Sequence, residues 1–161
     1  MGFRVLHFSS TPLAGAPIRL VQALREHTDH EVRLVDLQRW GLYDHDLVFS
    51  EQPDEVVELA AKADIIHLHN YLDSHSTCFA PIDFERLRRR GTALVRQFHT
   101  HPEFVAQVMG VSPSAVLSCP LPSLVIAQSQ ERFYPQARVS GTPLVFQRSS
   151  QAPRVLVGVN A

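Results

Sequence analysis

The sequence has no apolar run near the ~20 residues that cross a bilayer. Its N-terminus, Met1-Gly2-Phe3-Arg4-Val5-Leu6-His7, is too short and too quickly interrupted for the core of a secretory signal. Neither a membrane-spanning chain nor export by that route is expected, and Met1-Gly2 lacks the Ser or Thr at position 6 that myristoylation favours. Cysteine is scarce: Cys78 and Cys119 show no Cys-x-x-Cys spacing and make no disulfide framework, so a reducing, cytoplasmic setting suits them. Charge of one sign is also lacking. With 15 Lys plus Arg against 16 Asp plus Glu, the net charge of -1 supplies no global field for nucleic acid, and no nucleic-acid partner is expected. No internal repeat, G-x-G-x-x-G run or P-loop lysine is present.

What remains is an ordinary globular composition, 45% hydrophobic and 19% charged over 161 residues. A single domain of that size buries roughly 70% of its unfolded surface. Short apolar runs closed by turn residues predict strands at Arg4 to Phe8, Glu31 to Leu37, Asp64 to Asn70, Thr92 to Phe98 and Ser123 to Ala127, with a sixth at Thr142 to Phe146. The second alternates polar and apolar residues, which suits a place nearer the edge.

Between the strands lie helical patterns: Pro17 to His27, with Ile18, Leu20, Val21 and Leu24 on one face; Pro53 to Lys62; and Ile82 to Arg90, ending at Gly91. Phe104 to Met109 reads as a short helix closed by Gly110, with another starting at Ser112-Pro113. Arg39 to Phe49 has no period and reads as a loop. Seven of the 11 prolines lie from Pro102 onward, so this third should be irregular. Alternating strands and helices predict a Rossmann-like, doubly wound, mostly parallel sheet with helices on both faces. Residues 1–146 form that domain, and 147–161 read as a linker and the start of a missing second domain.

Ligands of such a sheet sit beyond the carboxyl ends of its strands. After the first strand, Ser9 to Pro17 is a small-residue loop entering a helix, a candidate anion cradle around Ala14, Gly15 and Ala16; a plain tight turn would need the same residues. His67, His69 and Asn70 end the third strand, and His99, Thr100 and His101 follow the fourth. Alternation puts His67 and His69 on one face. The two pairs, with His75, have a spacing a metal could use, but neither contains Asp or Glu, and no metal is expected. Substrate handling suits them better, since histidine donates or accepts near neutral pH, and His99 is the candidate catalytic group. Ser129, past the fifth strand, either binds ligand or caps the next helix. Asp73 is read as a loop carboxylate first and a base second, and Arg86, Arg88, Arg89 and Arg90 as a solvated helix end first and a lipid-headgroup contact second.

Arg4-Val-Leu-His-Phe-Ser-Ser with its small-residue loop, Ala63-Asp-Ile-Ile-His-Leu-His-Asn, Val95-Arg-Gln-Phe-His-Thr, and Leu124-Val-Ile-Ala-Gln-Ser before Glu131-Arg132 together resemble the retaining GT-B glycosyltransferases of family four. The likeness runs from residue 3 to about 146. It implies the N-terminal, acceptor-side half of a two-domain enzyme, with a nucleotide-diphospho-sugar donor for the complete enzyme and no cofactor in this chain. It further implies a missing C-terminal donor-binding domain and a sugar or glycolipid-type acceptor; peripheral contact with the inner face of the membrane goes with the second reading of the Arg86, Arg88, Arg89 and Arg90 cluster. In the family the first loop approaches the donor phosphate and transferred sugar, here Ala14, Gly15 and Ala16, and the histidine after the fourth strand lines the cleft, here His99. Ala14-Gly15 replaces the family's common Gly-Gly, and Ser140-Gly-Thr-Pro replaces its Pro-Asn-Gly. Without the second half the chain is expected to be inactive. Two other readings stay open: a stand-alone binding module that kept the fold, and a small metal-dependent hydrolase built on the histidine pairs.

Overall fold

The computed structural model describes residues 2–127 and 129–141. Seven strands run in parallel: β1 (Arg4–Ser9), β2 (Glu31–Asp36), β3 (Leu47–Val48), β4 (Ile65–His69), β5 (Ala93–Phe98), β6 (Ser123–Ile126) and β7 (Arg138–Ser140). Their order across the sheet is β3-β2-β1-β4-β5-β6-β7. The chain therefore winds one way from β1 to β3 and the other way from β4 to β7, and a crevice opens where the order reverses, between β1 and β4. β2 lies second from one edge, as its alternation suggested.

The helices are α1 (Ala16–His27), α2 (Pro53–Lys62), α3 (Phe84–Arg89), α4 (Pro102–Met109) and α5 (Pro113–Leu117). Their ends follow local chemistry. Proline opens or nearly opens α1, α2, α4 and α5, where its fixed φ and missing N–H cost nothing. Asp83 and Ser112 cap α3 and α5 through side-chain oxygens that accept from Arg86 N–H and Ala115 N–H. α3 starts at Phe84 rather than Ile82 because Asp83 takes the capping position. Gly91 (φ +106) and Gly110 (φ +67) adopt the left-handed conformation just past α3 and α4.

One face of the sheet buries Leu6, Phe8, Ile66, Leu68 and Leu94 against Val56 and Ala60 of α2, with Phe79 and Phe84 set edge-on to Phe8. Phe98 and Val125 continue that face against Val105 and Ala106 of α4 and stacked Tyr134. The opposite face buries Val5, Val32 and Leu34 against Ile18 and Val21 of α1. Alternation sends His7, His67 and His69 to this second side, and the register pairs His7 with His67.

Two strands differ from the sequence reading. Leu47–Val48 forms a two-residue strand inside the stretch read as loop, too short to show a period, and Arg138–Ser140 forms β7 with mostly exposed side chains. The strand expected at 142–146 and the linker at 147–161 lie outside the described residues. No helix among the described residues is long and apolar enough to cross a membrane.

Candidate functional site

The carboxyl ends of β1, β4 and β5 bring together the loop after β1 and the polar residues after β4 and β5. Leu13, Ala14 and Gly15 form a 3-10 turn in which all three carry positive φ, 44°, 51° and 75°. Only glycine takes this conformation freely, so Leu13 and Ala14 hold a conformation that costs each of them free energy. The Gly15 N–H donates to the Pro12 carbonyl at 2.8 Å, the Ala16 N–H donates to the Leu13 carbonyl, and Pro17 has no N–H. Two of the donors that the sequence offered to an anion, the Gly15 and Ala16 N–H groups, are thus spent within the loop. An open groove of about 390 Å³ lies beside it, lined by Ala14, Gly15, Ile18, Arg19, Gln22, Leu42 and Tyr43.

A second feature of this groove was not read from the sequence. The carboxylate of Asp36, at the end of β2, is wholly buried, accepting from the Tyr43 hydroxyl at 2.9 Å and facing His45 Nδ1 at 2.8 Å. The Trp40 N–H donates to His45 Nε2 at 3.0 Å, so His45 carries its proton on Nδ1 and donates it to Asp36. Burial raises the Asp36 carboxyl above its usual range, and burial together with Asp36 raises the Tyr43 hydroxyl. The three residues pin the loop between β2 and β3 against the sheet end. The only advance signal was an acidic residue ending a strand.

Asn70, fully buried, is the hub of the next strand end. Its backbone is left-handed (φ 51°), which asparagine tolerates better than most residues. Its side-chain oxygen accepts from the His99 N–H at 3.0 Å, its amide lies 3.2 Å from the Thr100 hydroxyl, and its carbonyl accepts from Arg96 Nη2 at 2.9 Å. The Tyr134 hydroxyl donates to the Thr100 carbonyl at 2.7 Å. Asn70 and Thr100 therefore shape the chain that presents His99.

His99 joins His69 and not His101. His69 Nδ1 lies 2.9 Å from His99 Nε2, and His69 Nε2 lies 3.0 Å from His7 Nδ1. The rings of His67 and His69 stack at 4.6 Å with a 9° interplanar angle, and His7 stacks on His67 at 4.5 Å. His7, His67 and His69 offer ring nitrogens within 4.8 Å of one another, a spacing a metal could bridge. Burial holds all four neutral: His99 is pushed down to about 4 and His67 to about 3, while His7 and His69 lie well below the usual value from burial and then from their histidine neighbours.

The remaining candidates lie around this centre. His69 is buried between two other histidines and meets the cleft only through His99. His101 sits at the start of α4, paired with Glu103 and packed edge-on against Phe133. Ser129 is exposed with φ 65° and does not cap the turn that follows, whose N-cap is Gln130. His75 is exposed and outside the cluster. Asp73 accepts from the His75 N–H and the Ser76 hydroxyl in a local turn, and Arg88 pairs with Glu85 on α3, as a loop carboxylate and a solvated helix end would. A cavity of about 500 Å³ lies at the N-terminal end of β6, lined by residues such as Pro120, Pro122 and Pro135, with Tyr134 between it and Thr100.

No protein-family model matches the chain, and no curated protein matches it in sequence. Solved structures do. An α-glucosyltransferase in complex with UDP and a 13-mer DNA containing an HMU base is similar with a TM-score of 0.53 at 11% identity, over 89% of this chain and 43% of the other. A second structure of that description gives 0.53 at 12% identity, over 89% and 44%. One with UDP and a 13-mer DNA containing a central A:G mismatch gives 0.54 at 11%, over 89% and 42%. The chain thus spans less than half the length of these structures, and at such identity the likeness establishes the fold: a glycosyltransferase-like, Rossmann-like α/β domain.

These complexes also correct one expectation. No nucleic-acid partner was expected from a net charge near zero, and the resemblance implied a sugar or glycolipid-type acceptor, yet the similar structures hold DNA. Net charge sums over the whole surface and says nothing of local clusters, so it does not exclude a nucleic-acid partner.

Proposed function

We propose that the chain is the N-terminal, acceptor-side half of a retaining GT-B glycosyltransferase of family four, which uses a nucleotide-diphospho-sugar once a second, donor-binding domain completes the cleft. The supporting observation is the convergence, at the β1/β4 reversal, of the Leu13–Gly15 turn with the Asn70, His99 and Thr100 network, in a glycosyltransferase-like fold. In this reading the residues around Ala14, Gly15 and Ala16 lie on the donor side, and His99 stands at the transferred sugar. Thr100, His101 and Ser129 line the wall toward the acceptor, while His69 and Asn70 act through His99. The DNA in the similar complexes brings nucleic-acid hydroxyl groups among the acceptors to be tested. In this reading the second domain supplies most of the surface that binds the nucleotide, and residues 1–161 on their own are expected to show no transfer.

The experiment is His99→Ala in the two-domain enzyme. A positioned histidine acting on the reacting centre contributes on the order of 100-fold or more. The expected result is a fall in kcat of about that size, with Kd for the nucleotide changed only a few-fold. An unchanged kcat removes His99 from the role assigned to it.

A further inference from the structure

The histidine cluster contains more than His99 needs for contact with a ligand. His7 Nδ1 faces His69 Nε2 at 3.0 Å, and His69 Nδ1 faces His99 Nε2 at 2.9 Å. A nitrogen-to-nitrogen contact of that length needs one proton and one lone pair, and a neutral imidazole has one of each. Three neutral rings with two such contacts admit only two consistent proton placements. Either all three rings are protonated at Nδ1, leaving His7 Nε2 bare and the His99 Nδ1–H free, or all three are protonated at Nε2, leaving His99 Nδ1 bare. The two end nitrogens, His7 Nε2 and His99 Nδ1, are buried and have no hydrogen-bond partner among the described residues, as the ends of such a chain would.

We propose that His7 and His69 are positioning residues that tie the tautomer of His99 to their own, through a three-imidazole chain in which all three rings carry the proton on the same nitrogen, Nδ1 or Nε2. A change of tautomer at one ring then requires the same change at the other two, so His99 cannot switch alone. That His99 meets a ligand belongs to the proposed function; the shared tautomer does not rest on it.

The test is long-range ¹H–¹⁵N correlation of the imidazoles in the isolated chain near pH 7, where ¹⁵N shifts report which nitrogen carries the proton. All three rings are expected neutral and protonated on the same nitrogen. In His69→Phe the His99 ¹⁵N shifts are expected to part from those of His7. If that variant does not fold, His7→Phe, which removes one end of the chain, is expected to move the His69 and His99 shifts together. Unlike tautomers in the three wild-type rings, a charged ring, or His99 resonances unmoved by either substitution would overturn the proposal. Resonances that shift on adding EDTA would overturn it in favour of a bound metal. No donor or transfer enters the measurement, so its failure leaves the glycosyltransferase reading standing, and an inactive two-domain enzyme with the expected tautomers sinks only that reading.

Discussion

Acidification from pH 7 to pH 5 is expected to remove a large part of the domain's stability. The cause is the buried histidine cluster. His99 is held down to about 4, His67 to about 3, and His7 and His69 well below their ordinary value of 6.5. Each ring stays neutral in the folded chain while the same residue in the unfolded chain takes up a proton near pH 6.5. A folded-state pKa below the unfolded one means that stability is fully present above 6.5 and lost as pH falls, the loss levelling off only below the folded value. Linkage then gives nearly 2 kcal/mol for each of His99 and His67 between pH 7 and 5, roughly 4 kcal/mol together, with His7 and His69 acting in the same sense, against a typical total of about 5–15. Asp36, whose carboxyl is raised by burial, works in the opposite sense and offsets at most one of these protons. The arginine-paired carboxylate Asp46 is held low and titrates below this window. Urea midpoints at pH 7, 6 and 5 measure the effect, and a midpoint constant across that range contradicts the burial of neutral imidazoles.

Arg96→Ala is expected to cost about 3–5 kcal/mol, the range for a large buried side chain removed with its hydrogen bonds. Arg96 is 2% exposed, lies over the Phe98 ring at 4.5 Å, and donates through Nη2 to the Asn70 carbonyl at 2.9 Å and the Met109 sulfur at 3.0 Å. It makes no ion pair with a carboxylate among the described residues. Its stabilising contribution therefore comes from packing, the cation–π contact and the hold on Asn70. Arg96→Met fills much of the same volume without a buried charge and should recover most of the loss. The Met variant still leaves the Asn70 carbonyl without its donor, so the backbone that presents His99 loosens while the core holds. Urea denaturation at pH 7.5 separates the two. An Ala variant within about 1 kcal/mol of the parent contradicts this account, because so small a change is the mark of a surface substitution.

Much of the architecture was legible because parallel strands buried on both faces leave compact apolar runs, and because proline and glycine mark helix ends here by their backbone chemistry. β1, β4, β5 and α2 fall within a residue of where the sequence put them. β3 and β7 did not show: two residues carry no period, and Arg138 and Val139 are exposed, so no apolar face marked them. The site was legible as strand ends but not as a network. His7 was read only as part of an apolar strand, since its contact with His69 depends on the β1–β4 register, 62 residues apart in sequence. His101 was grouped with His99 by spacing, yet the start of α4 turns it toward Glu103 and Phe133. The cradle around Gly15 looked richer in donors than it is, because sequence cannot say that a 3-10 turn uses the Gly15 and Ala16 N–H groups internally.

The central claim is that this domain is one wall of a two-domain cleft. It is tested most directly by measuring nucleotide-sugar binding and glycosyl transfer for the isolated chain and for the same chain supplied with its second domain. The account predicts weak binding and no transfer from the chain alone, with transfer that retains anomeric configuration appearing once the second half is present. Sub-micromolar nucleotide-sugar affinity, or transfer, by the chain alone would contradict it.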